Sequence, residues 1–334
     1  MGALHPDDIF GDLLFPLVSL SVAVILFEGG LNLQLKELRT TGRSVLQLVT
    51  VGVMVTWVLT ALIVHLLVGL SWSVAVLLGA VLVVSGPTVI IPLLRQIRPT
   101  GQVASVLKWE GIVNDPVGAI LAVLIFEVIL YGQGNGVGII IKGALRALIP
   151  GILIGVAGAG AIVVLLKRYI VPDFLQNPAA LMMVVLVYTG ANAFQDEAGL
   201  LAVTVMGIAL ANQQYVSIKH ITEFKENLRV LIISSLFIIL SARLPVSETG
   251  LGDVASWLLV GLLILVVRPA AVFVSTIGAG LRWRERLLLA WMAPRGIVAA
   301  AVVSVFAIRL AQSGHGGYEA MVPITFQVII GTVA

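Results

Sequence analysis

The sequence predicts an all-α fold, a polytopic membrane helix bundle with inverted repeats and two discontinuous helices. Three observations predict it: the composition, a series of long apolar runs, and proline-glycine breaks inside two of those runs. Hydrophobic residues make up 59% of the 334 residues and charged residues only 11%, whereas a soluble globular chain usually carries about 25% charged residues. The composition therefore excludes a soluble globular protein. The absence of cysteine from the sequence excludes disulfides and thiolate metal sites.

Eleven apolar runs are candidates for membrane-crossing helices, which need about 20 apolar residues. Unbroken apolar runs favour helices, because the strands of a membrane barrel would alternate apolar and polar residues. The sixth and seventh runs are short enough that a re-entrant pair is an alternative, and we expect the chain to stop inside the last helix. In chain order the predicted segments are 12–31, 44–69, 73–95, 101–131, 138–166, 178–195, 198–213, 228–244, 254–280, 287–312 and 319–334.

Basic residues alternate between the loops, and the alternation predicts how the chain crosses the membrane. The loops after the odd-numbered segments up to the ninth are basic, whereas the intervening loops carry no Lys or Arg. Because cytoplasmic loops are enriched in Lys and Arg, we expect the first residues of the chain to lie outside. The protein is expected to be a multi-pass protein of the plasma (inner) membrane. The basic residues are Lys36, Arg39, Arg43, Arg95, Arg98, Lys167, Arg168, Lys219, Lys225, Arg229, Arg282, Arg284 and Arg286.

Two of the predicted segments are interrupted. The third contains "VVSGPTVIIP", with Gly86 and Pro87, and the tenth contains "WMAPRGIVAA", with Pro294 and Gly296. Each proline removes a backbone donor and clashes with the preceding turn. By the charge pattern these segments run in opposite directions, and transporters build their sites from such discontinuous helices at the interface of inverted repeats. The breaks therefore predict a transport site.

The stretch "WEGIVNDPVGAI" at 109–120 places polar groups inside the fourth segment. Asp115 lies near its middle, where a charged carboxylate costs about 2.5–3.5 kcal/mol. A protonated acid inside the bundle is one interpretation, and an ion or proton site is the other, which the cost favours. Asn114 adds a neutral oxygen suited to a hard monovalent cation or to orienting the carboxylate.

Glu110 has a different task from Asp115. It shares a helix face with Asn114, four residues later, and Asp115 is turned about 140° away from it on an ideal helix. Glu110 therefore needs a positively charged partner, which would neutralise buried charge and hold the broken helices. We expect Arg295 to be that partner. Arg268 is the second candidate, with a snorkelling position near a helix end as its alternative.

The remaining polar residues carry weaker signals. Glu28 in "LFEGGLNL" lies near the cytoplasmic end of its segment, where a partly solvated position and a functional one are equally consistent with the pattern. The stretch "GLGD" at 250–253 matches a short signature of intramembrane aspartyl proteases, but Asp253 falls in a predicted external loop. None of the four histidines pairs with carboxylates at metal-ligand spacing. No catalytic residue, and hence no enzyme activity, is predicted.

The motifs "EGIVNDP", "LFEGGLNL", "SGPTVI" and "MAPRG" together resemble the monovalent cation/proton antiporters of the NhaP and sodium/proton exchanger type. The resemblance covers nearly the whole chain in the right order. It implies a single transmembrane transporter domain over 1–334 and a homodimer. It also implies thirteen helices, so that the first two helices and a C-terminal tail would be missing from this chain.

The resemblance also implies roles for individual residues. Asp115 would bind cation and proton in competition, with support from Asn114 and from oxygens of the unwound stretch around Ser85. Glu110 would pair with Arg295. Further supporting residues would be Thr88, Glu28 and Arg268.

The function implied is exchange of Na⁺ for H⁺, electroneutral and one for one, by alternating access and without any cofactor besides the transported ions. A K⁺/H⁺ antiporter is the nearest alternative, followed by a cation channel, an intramembrane protease and a transporter of organic anions. One departure stands out, because many relatives carry Thr-Asp-Pro where this chain has Ser85-Gly86-Pro87. Gly86 removes a carboxylate, which leaves open how the helix dipoles are compensated and which ion is preferred.

Overall fold

The computed structural model describes residues 6–99, 102–131, 136–242, 254–292, 294–312 and 318–333. Within these ranges the regular structure is helical throughout, so the predicted all-α class is confirmed. Six of the described helices are long and apolar enough to cross a membrane by length and composition, and five further apolar helices are shorter.

The described ranges contain thirteen helices of nine residues or more, which correspond to the eleven predicted segments with the third and tenth each divided in two. They are α1 (Leu14–Leu31), α2 (Leu35–Val68), α3 (Trp72–Val81), α4 (Pro87–Ile97), α5 (Val103–Tyr131), α6 (Gly136–Lys167), α7 (Gln176–Asn192), α8 (Ala198–Asn212), α9 (Lys219–Ala242), α10 (Val254–Ser275), α11 (Trp283–Trp291), α12 (Ile297–Gln312) and α13 (Met321–Val333). Both predicted breaks are therefore confirmed.

Several helix bounds differ from the prediction. The helices α2 and α9 begin at Leu35 and Lys219, whereas the apolar runs predicted starts at 44 and 228. An apolar run marks only the part that avoids water, and helical hydrogen bonding continues into the polar residues before it. The sixth and seventh segments form two separate helices, α7 and α8.

The contacts divide the chain into two compact units. One contains Glu37–Tyr131 and Leu240–Ala334, and the other contains His5–Lys36 and Gly132–Ile239. The single transporter domain proposed over 1–334 stays a prediction. Below, the compact unit that contains Glu37–Tyr131 is called the first unit, and the one that contains Gly132–Ile239 is called the second unit.

In the second unit, α8 packs against α1 and α6. The backbones of α1 and α8 approach closely, because a Cβ atom at Gly207 would lie 2.3 Å from the carbonyl oxygen of Phe27. A Cβ atom at Gly30 would lie 2.5 Å from the carbonyl oxygen of Thr204. Only glycine allows this crossing, since small residues let helix backbones come together in a membrane.

The first unit contains two sets of three segments, and the broken segment is the middle one in each set. Three turns in its unbroken helices are π-helical: Leu48–Gly52 and Val64–Val68 in α2, and Leu263–Val267 in α10. The long helix α5 packs directly against the first break, because a Cβ atom at Gly118 would lie 2.6 Å from a methyl of Val84. The helix that carries Asp115 is thereby held against unwound backbone.

Candidate functional site

The two unwound stretches of the first unit meet each other. The first lies between the end of α3 and the start of α4 at Pro87, and the second between α11 and the start of α12 at Ile297. The backbone N–H of Gly86 donates to the carbonyl oxygen of Pro294 at 3.2 Å. Each break therefore satisfies part of the backbone that the other leaves open, as buried backbone polar groups require.

Gly86 is required by this crossing. A Cβ atom added there would lie 2.7 Å from Cα of Gly296 and 2.8 Å from its nitrogen, which is closer than real Cβ atoms approach backbone. No side chain fits at this position. The departure from the Thr-Asp-Pro pattern thus agrees with the packing, because in this chain the backbone of Gly296 occupies the space that a side chain at position 86 would need.

We expect Gly86→Ala to lower the thermal midpoint of the detergent-solubilised protein, because overpacking against fixed backbone costs about 1–3 kcal/mol. Gly160→Ala is the matched control. It makes the same change on α6, where the added Cβ meets nothing within 4 Å, so we expect an unchanged or slightly raised midpoint. Equal midpoints for Gly86→Ala and the wild type would contradict the close crossing.

Arg295 caps the end of the first half-helix. Its Nη1 donates to the carbonyl oxygens of Val83 and Val84, at 3.0 and 3.3 Å. These carbonyls follow the last turn of α3, and the C-terminal end of a helix carries a partial negative charge. Arg295 therefore compensates a helix end that lies inside the unit, away from water.

Arg268 does the same for the second half-helix. Its Nε donates to the carbonyl oxygens of Leu289 and Met292, at 3.1 and 3.0 Å, at the end of α11. Neither cap was predicted from the sequence. A count of buried charges could have predicted the caps. Two arginines lie deep in the predicted segments, whereas only one carboxylate, Glu110, needed a positively charged partner.

The ion pair of Glu110 corrects a prediction. Its partner is Arg268, whose Nη2 donates to Oε2 of Glu110 at 2.9 Å while Nη1 donates to Oε1. The expected pair with Arg295 is wrong, because that guanidinium is turned to the carbonyls of the first break. The snorkelling alternative for Arg268 is also wrong, since its side chain is only 11% exposed.

Asn114 faces the same place as Glu110, as their spacing of four residues predicts. Both line a small cavity together with Thr56, Arg268 and Arg295. The cavity has about 10 Å³ of space for the centre of a water molecule, close to the minimum for a single water. Oδ1 of Asn114 has no hydrogen-bond partner in the part of the chain that the structure describes.

Asp115 is fully buried, with 0% of its surface exposed. Neither carboxylate oxygen has a hydrogen-bond partner of normal geometry among the described residues. The groups acting on the carboxylate are the backbone N–H of Ser85, in the first break, and the charge of Arg295. Buried carboxylates are almost always partnered. Two oxygens left open here are available to a cation or a proton.

Of the remaining predicted site residues, the structure describes the side chains of Ser85 and Glu28. Ser85 lies in the unwound stretch, is buried, and its hydroxyl donates to the carbonyl oxygen of Gly111 at 3.5 Å. Glu28 is only 2% exposed in α1 of the second unit, so the partly solvated interpretation is wrong. The side chain of Thr88, like Asp253, lies outside the described residues.

Comparison with known proteins finds relatives that are named as cation/proton antiporters. The chain is 28% identical over 287 residues to a K⁺/H⁺ antiporter NhaP of Alkalimonas amylolytica, covering 85% of this chain and 50% of the relative. It is 25% identical over 334 residues to Na⁺/H⁺ antiporter 1 of Methanocaldococcus jannaschii, covering 92% of this chain and 76% of the relative. The chain thus spans half the length of the first relative and about three quarters of the second.

A solved structure shows the same fold. The sodium proton antiporter MjNhaP1 from Methanocaldococcus jannaschii, determined at pH 8, superposes with a TM-score of 0.79 and 22% identity, covering 99% of this chain and 87% of that chain. The sequence profile described as "Sodium/hydrogen exchanger, transmembrane" matches residues 10–334. With nearly its whole length matched by that profile, the chain belongs to the sodium/hydrogen exchanger family.

Proposed function

We propose that this chain forms the transmembrane part of a secondary antiporter that exchanges a monovalent cation for a proton. The observation that carries the proposal is the fully buried carboxylate of Asp115, with both oxygens open, beside the first of two crossing breaks. A single carboxylate that holds either a proton or a cation couples two fluxes if only the occupied site crosses the barrier.

The surrounding groups divide the remaining tasks. Ser85 and the unwound backbone near it supply neutral oxygens to the cation, and Asn114 supports the site from the neighbouring face. Glu110 is committed to Arg268, which leaves Asp115 as the carboxylate that exchanges its ligand. A proton and a monovalent cation add the same charge to Asp115. One-for-one exchange is therefore electroneutral.

The architecture supports alternating access. In the first unit the broken segment is the middle one of three in each set, the arrangement expected if the two sets are inverted repeats. As parts of the same proposal, the protein is a homodimer in the plasma (inner) membrane. The first residues of this chain lie outside, because the basic loops mark the cytoplasmic side.

Sodium is the cation we propose, and potassium is the second candidate. The relatives support both, since one is named as a Na⁺/H⁺ antiporter and another as a K⁺/H⁺ antiporter. Selectivity between the two depends on the size of the site and the number of its oxygens. The assay must therefore present each cation separately.

The test is cation-driven collapse of a pH gradient by the full-length protein in proteoliposomes, with the membrane potential clamped. We expect NaCl to collapse the gradient with a rate that saturates, and choline chloride to leave it unchanged. Collapse by KCl alone would reassign the cation. A cation current that needs no proton movement would indicate a channel, and no response to either cation would overturn the antiporter proposal.

A further inference from the structure

The chain passes from the second unit to the first between Lys36 and Glu37, in the turn that opens α2. On the side of the second unit, the amide of Asn212 holds the backbone, and on the side of the first unit, side chains of α5 hold the carboxylate of Glu37. Each of these two contacts, which we call the clamps, lies within a single unit.

The clamp of the second unit is Asn212, the last residue of α8. Its Oδ1 accepts the backbone N–H of Leu35 at 2.8 Å. Its Nδ2 donates to the carbonyl oxygens of Leu33 and Ile208, at 2.8 and 2.7 Å. One amide thus uses both of its ends to fix the segment before the junction to the end of its own helix.

The clamp of the first unit is Glu37. Its carboxylate accepts hydrogen bonds from three side chains of α5: Nζ of Lys108 at 2.6 Å, Oγ of Ser105 at 2.8 Å and Nε1 of Trp109 at 3.2 Å. The ion pair is largely covered, with Glu37 26% and Lys108 22% exposed. The residue that opens the first unit is therefore anchored to the helix that carries Asp115.

We infer that Asn212 and Glu37 are positioning residues for exchange, which confine bending at this junction to the backbone around Lys36. The inference rests on the proposed function. Alternating access requires rearrangement around the bound ion, and hinges are a few residues that absorb the change in backbone angles. A junction clamped on both sides transmits that movement directly to α5. With either clamp open, the junction absorbs the movement instead.

Loss of a clamp should change the maximal rate of exchange and not the apparent affinity for the cation. Neither clamp contacts Asp115, so the cation concentration at half-maximal rate depends on groups that the clamps leave unchanged. The maximal rate per folded molecule depends on how firmly the junction is held. A role in folding alone would lower the amount of folded protein without changing the rate of each folded molecule.

The experiment compares Glu37→Ala and Asn212→Ala with Lys36→Ala in the full-length protein. Lys36 lies between the clamps and its side chain is exposed, so it is the matched control. For each clamp variant we expect a maximal rate per folded molecule about fivefold or more below wild type, with the half-maximal cation concentration within about twofold. Glu37→Gln keeps acceptor oxygen for Ser105 and Trp109 and should restore part of the rate.

Hydrogen exchange provides a second readout that needs no transport. The amide of Leu35 should exchange faster in Asn212→Ala than in the wild type or in Lys36→Ala, because its acceptor is removed. Unchanged hydrogen exchange at the amide of Leu35 would overturn the inference. This outcome does not depend on whether the protein is an antiporter. With an active wild type, clamp variants that kept its maximal rate, or Lys36→Ala that lost it equally, would overturn the inference and leave the antiporter proposal standing.

Discussion

Asp115→Asn is expected to abolish cation-dependent proton movement while the helical fold persists. Asparagine has nearly the same shape but can neither release a proton nor present a charged oxygen to a cation. The carboxylate oxygens have no hydrogen-bond partner of normal geometry among the described residues, and asparagine keeps an acceptor oxygen for the nearby backbone N–H of Ser85, so the substitution should leave the fold intact. The measurement is exchange in proteoliposomes, beside the thermal midpoint and elution profile of the same preparation.

Asp173→Asn is the matched control for this substitution. Asp173 is an exposed aspartate in the turn before α7, and the same chemical change there should leave exchange at the wild-type rate. Asp115→Glu keeps the charge and moves it by one methylene, so we expect exchange with an altered apparent cation affinity. Near-wild-type exchange in Asp115→Asn would show that the binding carboxylate lies elsewhere.

Arg268→Met should cause the largest loss of stability among the substitutions considered. It leaves the Glu110 carboxylate buried without its partner, and removing one member of a buried pair costs about 3–5 kcal/mol. It also takes the donor away from the carbonyls of Leu289 and Met292. We expect a strongly lowered thermal midpoint, whereas Arg284→Met, at an exposed position of α11, should have little effect.

The double variant Glu110→Gln/Arg268→Met tests the pairing itself. Since both charges are then removed, we expect it to be more stable than Arg268→Met alone, with the two losses far from additive. Protein that remains folded should keep its apparent cation affinity, because the pair supports the site without binding the ion. Additive losses would show that Glu110 and Arg268 act independently.

Much of the fold could be predicted because its signals are local in sequence. Apolar runs located all eleven segments, and glycine and proline located both breaks to within a few residues. The depth of Asp115 also followed from its place in a run, since a carboxylate near the middle of α5 has nowhere to reach water. These features depend on neighbours along the chain, which the sequence displays directly.

The partners of the polar groups could not be predicted in the same way. Arg295 was expected to be the partner of Glu110 and Arg268 was the second candidate. The crossing of the two breaks, which the sequence does not display, turns Arg295 toward backbone carbonyls instead. Gly86 was recognised as a departure, but the glycine it meets lies 210 positions further along, at Gly296. Asn212 and Leu35 are 177 residues apart. Contacts between residues so far apart leave no periodic pattern in the sequence from which they could be predicted.

The π-helical turn Leu263–Val267 has a consequence for the length of α10. It ends at the residue before Arg268, and each residue of an α-helix turns the next by about 100°. A π-helical turn accommodates one residue more than an α-helical turn, so deleting one residue inside it would restore regular α-helical winding and keep Arg268 facing Glu110. Deleting one residue from the α-helical part of α10 before this turn would instead swing the guanidinium away by about that angle. The π-helical turn is therefore the place in α10 where the helix can lose one residue without moving Arg268, and the α-helical residues before it set the direction of the guanidinium.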